Sequence, residues 1–535
     1  MQPQLVCSSV ESDAQFAVRV SAVGSGRRVD ISFRVSRSCR VDRIRLPLDI
    51  TASRVIENGF QSWSAVRVCE PTDVHPERRD APRWFRRQMF ADAEGAGMEI
   101  AGDTYLVFDG GTCGFLSAHA QFGRIKVDHH GTLEAQWLLD DIVVQPQDTY
   151  VLEPLWIGLG DPGTTYSDYA TLAGAEMGAL PARDVPRGWC SWYHYFGDVT
   201  PDDIRENLSL AVQHGITVVQ IDDGWQKDIG EWTTVNEKWS VPMDQMAREI
   251  TEAGATAGIW TAPFLAIEGG SVAKEHPEWL VRNDEGLPTT ALFHAGWGGK
   301  IFALDTTHPD VLAHIEATFR TLRTQGFDYF KIDFLHAAAA VGQRHTASTT
   351  RARALRAGLE AVRAGIGDDA YLVGCGCPLL SAVGIVDAMR VSMDVAPFWE
   401  PRLFFPGFAD VTVAARNAVG PSLLRAPLHQ RWFTLDPDCV LLRPVDTELT
   451  AEERKVVADG ALAASGFVVL SDRLAQYEAT EWQEVDRLFA AGQQSSHETR
   501  DLVDPLCEDL VVTWNSGRAT INWHTVASAV STSQT

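Results

Sequence analysis

The sequence predicts a multidomain protein with a central (β/α)8 TIM barrel, an N-terminal antiparallel β-sandwich and a small C-terminal β domain. The chain has 535 residues, which is too long for one ordinary domain. Up to about residue 175 its apolar residues alternate with polar ones, as in half-buried strands. From Gly188 onward, strand patterns alternate with amphipathic helices. We therefore divide the chain into residues 1–178, 184–492 and 493–535.

The first region reads as antiparallel strands joined by turns. Val29–Val35, Thr104–Phe108 and Leu133–Leu139 alternate in polarity, and Asp109-Gly110-Gly111 follows the second of them. The stretch Pro181–Arg187 then reads as a linker into a different kind of fold.

The barrel is predicted from eight strand patterns that are separated by helices. Thr200 and Pro201 begin one helix, and Gly215 ends it. A doubly wound sheet would also alternate, but no glycine-rich phosphate loop follows any strand pattern, so we favour the barrel. A barrel places functional residues at the carboxyl ends of its strands. The expected strands are 188–192, 216–222, 256–262, 327–333, 370–375, 386–392, 432–441 and 467–471.

Two further segments have predicted positions. Residues 263–326 are longer than one barrel connection needs, and we expect them to fold over the site as an aromatic-lined loop. Val511–Trp514 and Ala519–Trp523 read as a hairpin of the C-terminal domain. We expect the tail Ser528–Thr535 to be disordered.

Composition excludes several classes of partner. The net charge of −25 argues against nucleic acid or an anionic membrane surface. No apolar run is long enough to span a bilayer, and no secretory signal is visible at the N-terminus. The nine cysteines form an odd, scattered set, which is typical of reduced thiols in the cytoplasm. Their spacing predicts no structural metal site.

Two predicted strands end on a carboxylate. Tyr329–Asp333 places Lys331 and Asp333 on one face, and Met389–Asp394 does the same for Arg390 and Asp394. Such a pair suits a glycosidase, with one nucleophile and one acid/base. The alternative for each aspartate is a helix cap, but an inward lysine in an apolar strand needs a partner. We expect Lys331 to keep Asp333 ionised.

Other residues at strand ends extend this pattern. Asp222 and Asp223 precede Gly224 and Trp225, and adjacent carboxylates can bind two vicinal sugar hydroxyls. The alternative is a helix cap beside a surface acid. The apolar run Val395–Trp399 would raise the pKa of Asp394, whereas Arg390 opposes this, and the sequence leaves the balance open.

Aromatic residues cluster near the same predicted rim. Trp189, Trp192, Trp225 and Trp260 lie at or near strand ends, where at least one stacking surface for a sugar is expected. The N-terminal segment Asn58–Ser64 is either a turn with buried aromatic residues or a wall of the pocket. We assign no role to the histidines near the rim, which are His194, His294 and His336.

The motifs together resemble glycoside hydrolase family 36, which holds α-galactosidases, has raffinose-synthase-type transferases as relatives and neighbours family 27. The resemblance covers about residues 184–492 and includes the three-part architecture. The motifs, in order, are Gly188-Trp-Cys-Ser-Trp192, Asp222-Asp-Gly-Trp225, Gly258-Ile-Trp260, Leu304-Asp-Thr-Thr-His-Pro309, Lys331-Ile-Asp333 and Arg390-Val-Ser-Met-Asp394.

The resemblance implies a retaining α-glycosidase, most simply an α-galactosidase that acts on small oligosaccharides. It implies that Asp333 is the nucleophile and Asp394 the general acid/base, without a metal or cofactor. The expected partner is a small oligosaccharide or glycoside substrate. Assembly into a homo-oligomer is left open. The implied substrate-binding residues are Asp222, Asp223, Lys331, Arg390, Trp260, Trp189, Trp225 and Cys375.

The sequence departs from the family pattern at two places beside the sugar. Gly374–Pro378 stands where the family has a cysteine and a run of glycines, and Ala262–Phe264 stands where it often has Glu-Pro-Glu. Another glycone, such as an α-N-acetylgalactosaminide, and transglycosylation therefore stay open. A magnesium-dependent barrel enzyme and a non-catalytic sugar-binding barrel are the alternatives from other classes. The magnesium ligands would be Asp222, Asp223, Asp333 and Asp394.

Overall fold

The computed structural model describes residues 2–8, 13–402 and 405–532. Its N-terminal strands pair antiparallel, apart from one parallel contact between Asn58 and Gly102. Phe115 contacts Trp137 edge to face at 5.2 Å although their strands are not neighbours in the sheet. The sheet therefore bends over a shared apolar core. Its strands are Gln4–Cys7, Ala14–Val23, Gly26–Val35, Cys39–Thr51, Val55–Asn58, Val66–Cys69, Ile100–Asp103, Tyr105–Phe108, Gly111–Phe115, Phe122–Val127, Thr132–Val144, Tyr150–Val151 and Leu155–Leu159.

Eight parallel strands form the central barrel, which confirms the predicted fold class. The first seven strands pair each with the next along the chain, and the eighth pairs with the first. A parallel bridge between Val440 and Leu470 joins the two remaining edges, so the barrel is nearly closed. The strands, labelled β1 to β8, are Arg187–Cys190, Val218–Ile221, Thr256–Thr261, Tyr329–Ile332, Tyr371–Gly374, Ala388–Arg390, Thr434–Asp436 and Val468–Leu470.

The helix predicted to begin at Thr200 and Pro201 is present and capped as expected. Thr200 accepts a hydrogen bond from the backbone N–H of Asp203, whose side chain bonds back to Thr200. His308 caps the helix that begins at Pro309. The α-helices are Arg83–Met89, Pro162–Met177, Trp192–Tyr195, Pro201–Gln213, Met243–Glu252, Ser271–Glu275, Pro309–Thr324, Arg351–Ile366, Leu379–Ala382, Ala415–Leu424, Ala451–Ala464 and Ala479–Ser495. In the described part of the chain, none of them is both long and apolar enough for a membrane crossing.

The long connection after β3 has its own structure. It contains a small antiparallel sheet of Leu265–Ile267, Thr290–His294 and Gly299–Ala303. A hairpin of Gln226–Asp228 and Glu231–Val235 follows β2. The segment after β3 contributes Leu292, Phe293 and Trp297 to the cavity at the strand ends, as its length led us to expect, whereas the hairpin after β2 was not predicted.

A four-stranded antiparallel sheet ends the described chain. It consists of Asp501–Leu502, Leu510–Trp514, Gly517–Asn522 and Ala527–Thr532. The last strand corrects the expectation of a disordered tail for residues 528–532, because these residues pair with Gly517–Asn522 and Val530 packs against the core. The rest of that expectation, residues 533–535, lies outside the described residues. The limits of the three proposed domains stay a prediction.

Candidate active site

A cavity of about 580 Å³ lies at the carboxyl ends of the barrel strands. Seven of the residues predicted at the site line it, namely Asp222, Asp223, Trp260, Lys331, Asp333, Asp394 and the rim residue Trp192. A larger space of about 760 Å³, lined by Arg43 and Asp92 among other charged residues, contains none of the predicted site residues. The carboxylates and the lysine therefore meet in one concave place, as a barrel enzyme requires.

Asp333 follows β4 and is held by two donors. Its Oδ2 accepts a 3.0 Å hydrogen bond from the indole N–H of Trp260, and its Oδ1 accepts a 2.7 Å bond from the backbone N–H of Phe334. Phe334 has a φ of 54°, an uncommon backbone conformation for an aromatic residue. These contacts fix the direction in which the Asp333 carboxylate faces.

Lys331 forms an ion pair with Asp222. Its Nζ lies 3.0 Å from Asp222 Oδ2, and both side chains are buried. Burial lowers the pKa of Lys331, but the nearby negative groups, led by Asp222, outweigh this and raise it well above its ordinary value. The direct partner of Lys331 is thus Asp222, which the sequence analysis did not identify, while Asp333 is a further negative charge that acts on this lysine.

Asp223 stands beside this pair and is bound by two neutral donors. Gln226 Nε2 donates to its Oδ1 at 2.6 Å, and Trp297 Nε1 donates to its Oδ2 at 2.7 Å. Burial is the main cause that raises the pKa of Asp223. Trp297 belongs to the segment that we expected to fold over the site, and it is one of the residues lining the cavity.

Asp394 follows β6 and has a strongly raised pKa, the largest such shift among the carboxylates that line the cavity. Its Oδ1 accepts a 2.9 Å bond from Arg390 Nη1, and 32% of its side chain stays exposed within the cavity. Burial raises the pKa of Asp394 to about 6, although Arg390 acts in the opposite direction. The sequence left open whether burial or Arg390 has the larger effect on the pKa of Asp394. In the structure burial has the larger effect, so Asp394 is protonated in mildly acidic solution.

Arg390 is shared among several carboxylates, which limits its effect on Asp394. Its Nη2 lies 2.5 Å from Asp438 Oδ1, and its Nε lies 3.5 Å from Asp436 Oδ2. Tyr193, which lines the cavity, also donates its hydroxyl to Asp438. We did not predict Asp436, Asp438 or Tyr193; the position of the two aspartates at the end of β7 was the signal that could have found the pair.

Four predicted binding residues do not line the cavity. Arg390 turns toward the β7 carboxylates, and the indole N–H of Trp189 bonds to the backbone carbonyl of Asp472. The indole N–H of Trp225 bonds to the carbonyl of Trp260, and Cys375 is buried. Their direct contact with a substrate stays a prediction; in the structure Arg390 contacts Asp394 and Trp225 contacts Trp260, both of which line the cavity.

The N-terminal region contributes a wall, which resolves the alternatives for the segment Asn58–Ser64. Trp63 lines the cavity and contacts Phe334 edge to face at 4.9 Å. Arg425 holds the segment, because its guanidinium donates to Asn58 Oδ1 at 3.0 Å and to the carbonyl of Ser62 at 3.0 Å. Such contacts between distant regions leave no local pattern in a sequence.

Metal ligation has little support in this arrangement. No group of three or more histidine, cysteine, aspartate or glutamate side chains among residues 2–8, 13–402 and 405–532 could hold a metal ion. The Lys331 ammonium also occupies the place beside Asp222 that a cation would need. The geometry instead suits hydrogen bonding to hydroxyl groups and proton transfer.

Comparison with known proteins gives consistent similarities in sequence. The family model described as Melibiase matches residues 182–363. The α-galactosidase AgaA of Geobacillus stearothermophilus is 23% identical over 237 residues, which cover 41% of this chain and 31% of that protein. An A type blood α-D-galactosamine galactosaminidase of Flavonifractor plautii is 27% identical over 164 residues, covering 30% of this chain and 15% of that protein. The matched part is thus less than a third of either relative.

The solved structures match over more of the chain. TtGalA, an α-galactosidase from Thermus thermophilus in complex with p-nitrophenyl α-D-galactopyranoside, has a TM-score of 0.73 and 24% identity, covering 98% of this chain and 100% of that chain. The family 36 enzyme AgaA has a TM-score of 0.63 and 13% identity, covering 97% and 80%. The chain is thus similar in sequence to Melibiase-family proteins over residues 182–363, and its fold is similar to that of α-galactosidases, the family 36 enzyme AgaA among them.

Proposed function

We propose that the protein is a retaining α-galactosidase that hydrolyses terminal α-galactosides, those of small oligosaccharides among them. The observation that carries the proposal is that two carboxylates in one cavity, those of Asp333 and Asp394, have different surroundings. Asp333 is held by two N–H donors, whereas burial raises the pKa of Asp394 to about 6. Carboxylates with different environments suit a nucleophile and a general acid.

The reaction takes two displacements. Asp333 attacks the anomeric carbon while Asp394 gives its proton to the glycosidic oxygen, so the bond to the leaving group breaks and a glycosyl ester forms. Asp394, now a carboxylate, then takes a proton from water. The water oxygen attacks the anomeric carbon and releases Asp333 as a carboxylate, so the product retains the anomeric configuration.

The remaining polar residues would bind the sugar. Asp222 and Asp223 provide acceptors for hydroxyl groups, and Lys331 has donors beyond the one that contacts Asp222. Trp260, whose N–H holds Asp333, provides an apolar wall beside the anomeric carbon. The stachyose complex of TtGalA, a protein 26% identical over 89% of this chain, supports an oligosaccharide substrate.

A panel of p-nitrophenyl α-glycosides tests the proposal. We expect release of nitrophenol from the α-galactoside, retention of turnover in excess chelator, and stoichiometric labelling of Asp333 by an activated fluorogalactoside. Indifference to the α-galactoside would refute the proposal, loss of turnover with chelator would favour a metal-dependent enzyme, and binding without labelling would favour a non-catalytic barrel.

A second candidate glycone is an α-N-acetylgalactosaminide. The similarity to the galactosaminidase from Flavonifractor plautii favours it, and Gly374–Pro378 departs from the family pattern beside the sugar. A higher kcat/KM for p-nitrophenyl N-acetyl-α-galactosaminide than for the α-galactoside would select it. Transfer of galactose to added sugar, seen as new oligosaccharide products, would identify a transglycosylase.

We also propose a cytoplasmic location. Cysteines such as Cys69, Cys113 and Cys377 are buried thiols in the structure, and buried thiols are typical of proteins in a reducing compartment. Fractionation of the native host with an antibody against the chain tests this, and recovery outside the cytoplasm would refute it.

A further inference from the structure

The mouth of the cavity has a wall of apolar side chains, which we call the outer wall. It comprises Trp84 and Phe85 of the N-terminal helix, Phe293 of the connection after β3, and apolar residues within 405–413. Phe85 packs against Phe405 at 5.1 Å and against Phe408 at 5.0 Å. Three separate parts of the chain thus contribute aromatic or aliphatic groups to one surface.

Few polar side chains accompany the outer wall, namely Gln88, His294 and Thr412. The hydroxyl of Thr412 already donates to the carbonyl of Phe408 at 2.7 Å. His294 accepts a 3.2 Å bond from the backbone N–H of Trp297, which uses one of its ring nitrogens. The inner cavity differs, since it holds carboxylates and a lysine. A second sugar could stack on the aromatic side chains of the outer wall, but its hydroxyl groups would lose water and gain few hydrogen bonds in return.

The outer wall lies on the leaving-group side of the site. Met393, which precedes Asp394, lines the cavity, and the backbone N–H of Ala414 donates to the carbonyl of Asp394 at 3.3 Å. The segment 405–413 therefore returns to the residue that would protonate the leaving oxygen. A group attached to that oxygen would lie beside this segment.

Some of these apolar groups face solvent. Phe293 is 52% exposed and Val413 is 36% exposed. Exposed apolar side chains that rim a concave site mark a surface that binds an apolar group. Burial of that group would remove apolar area of both partners from water.

We propose that the outer wall binds an apolar aglycone, so that the preferred substrates are α-galactosides of aryl or alkyl alcohols rather than of a second sugar. This inference rests on the proposed function, because it requires Asp394 to protonate the leaving oxygen. It specifies the class of the group that leaves.

Substrates with matched leaving groups test the inference. Benzyl α-galactoside and melibiose both release a primary alcohol, so they make similar demands on proton transfer and differ in the polarity of the aglycone. We expect kcat/KM for the benzyl compound to exceed that for melibiose by about tenfold or more, the effect of a well-buried apolar ring. Equal kcat/KM values, or a higher value for melibiose, would overturn the inference about the aglycone but would leave the proposed α-galactosidase function standing. Absence of turnover with every α-galactoside would overturn both.

Variants test whether the outer wall is the cause. Phe293→Asn and Val413→Asn should each lower the ratio of benzyl to melibiose kcat/KM by about threefold or more, since both side chains are exposed and their replacement spares the core. Val151→Asn is the matched control, because Val151 is 70% exposed in the N-terminal sheet and should leave the ratio unchanged. A high ratio that neither outer-wall variant lowers would refute the assignment to this surface.

Discussion

Asp438→Asn tests how the acidity of Asp394 is set. Asp438 is buried, accepts from Arg390 Nη2 at 2.5 Å and from the backbone N–H of Val395 at 2.7 Å. Arg390 in turn donates to Asp394 at 2.9 Å. The asparagine keeps the size of the side chain and removes its charge, so Arg390 loses a competing partner and acts more strongly on Asp394.

The direction of the effect follows from two charges. The pKa of Asp394 is raised to about 6 mainly by burial; Arg390 lowers it and Asp438 raises it. Removal of the Asp438 charge takes away a raising cause and strengthens a lowering one, which together are worth about one pKa unit. Asp394 must be protonated to act as the acid, so kcat/KM falls as pH rises through its pKa. The upper limb of the pH profile should move down by about one pH unit.

The assay is kcat/KM against pH for melibiose, whose poor leaving group depends on proton transfer, in the native protein and the variant. Asp459→Asn is the control, because Asp459 is also buried but pairs with Lys455 and Arg487 on the outer helices. An upper limb that does not move in Asp438→Asn, or that moves to higher pH, would refute the reasoning. Circular dichroism of each variant would show that the fold is retained.

Three further variants separate the roles of the inner residues. Asp333→Ala should abolish turnover, and azide should restore a galactosyl azide of inverted configuration by NMR; failure of rescue would contradict the nucleophile role. Asp394→Ala should reduce kcat/KM for melibiose far more than for p-nitrophenyl α-galactoside, and an equal loss would contradict the acid role. Lys331→Met should lower stability by about 3–5 kcal/mol in denaturant unfolding, because buried Asp222 loses its cation; a loss below about 1 kcal/mol would contradict this.

The parts of the site that lie at strand ends could be predicted from the sequence. Asp222, Asp333 and Asp394 each follow an apolar run, and a parallel barrel brings such ends together. The two tryptophans at 189 and 260 show the limit of this reasoning. Both are at strand ends, but the Trp189 indole bonds to Asp472 inside the fold whereas the Trp260 indole bonds to Asp333. The direction of an indole depends on packing with residues that are distant in sequence.

Contributions from the N-terminal region were harder to predict for the same reason. Trp63 and the helix Arg83–Met89 reach the cavity because separate regions pack together, and Arg425 provides one of those contacts. The strand Ala527–Thr532 is a similar case. Its small residues read as a disordered tail, but pairing with Gly517–Asn522 satisfies its backbone groups.

The two cations of the site explain how its carboxylates can differ although they share a cavity. Lys331 makes a close ion pair with Asp222 and leaves Asp333 to the N–H groups of Trp260 and Phe334. Arg390 also contacts Asp394, but its charge is divided with two other buried carboxylates at the end of β7. Because Arg390 interacts with three carboxylates, it lowers the pKa of Asp394 by less than burial raises it. The pKa of Asp394 therefore stays raised, to about 6. If Arg390 had Asp394 as its sole partner, the carboxylate would be held ionised and could not supply the proton that the leaving group needs.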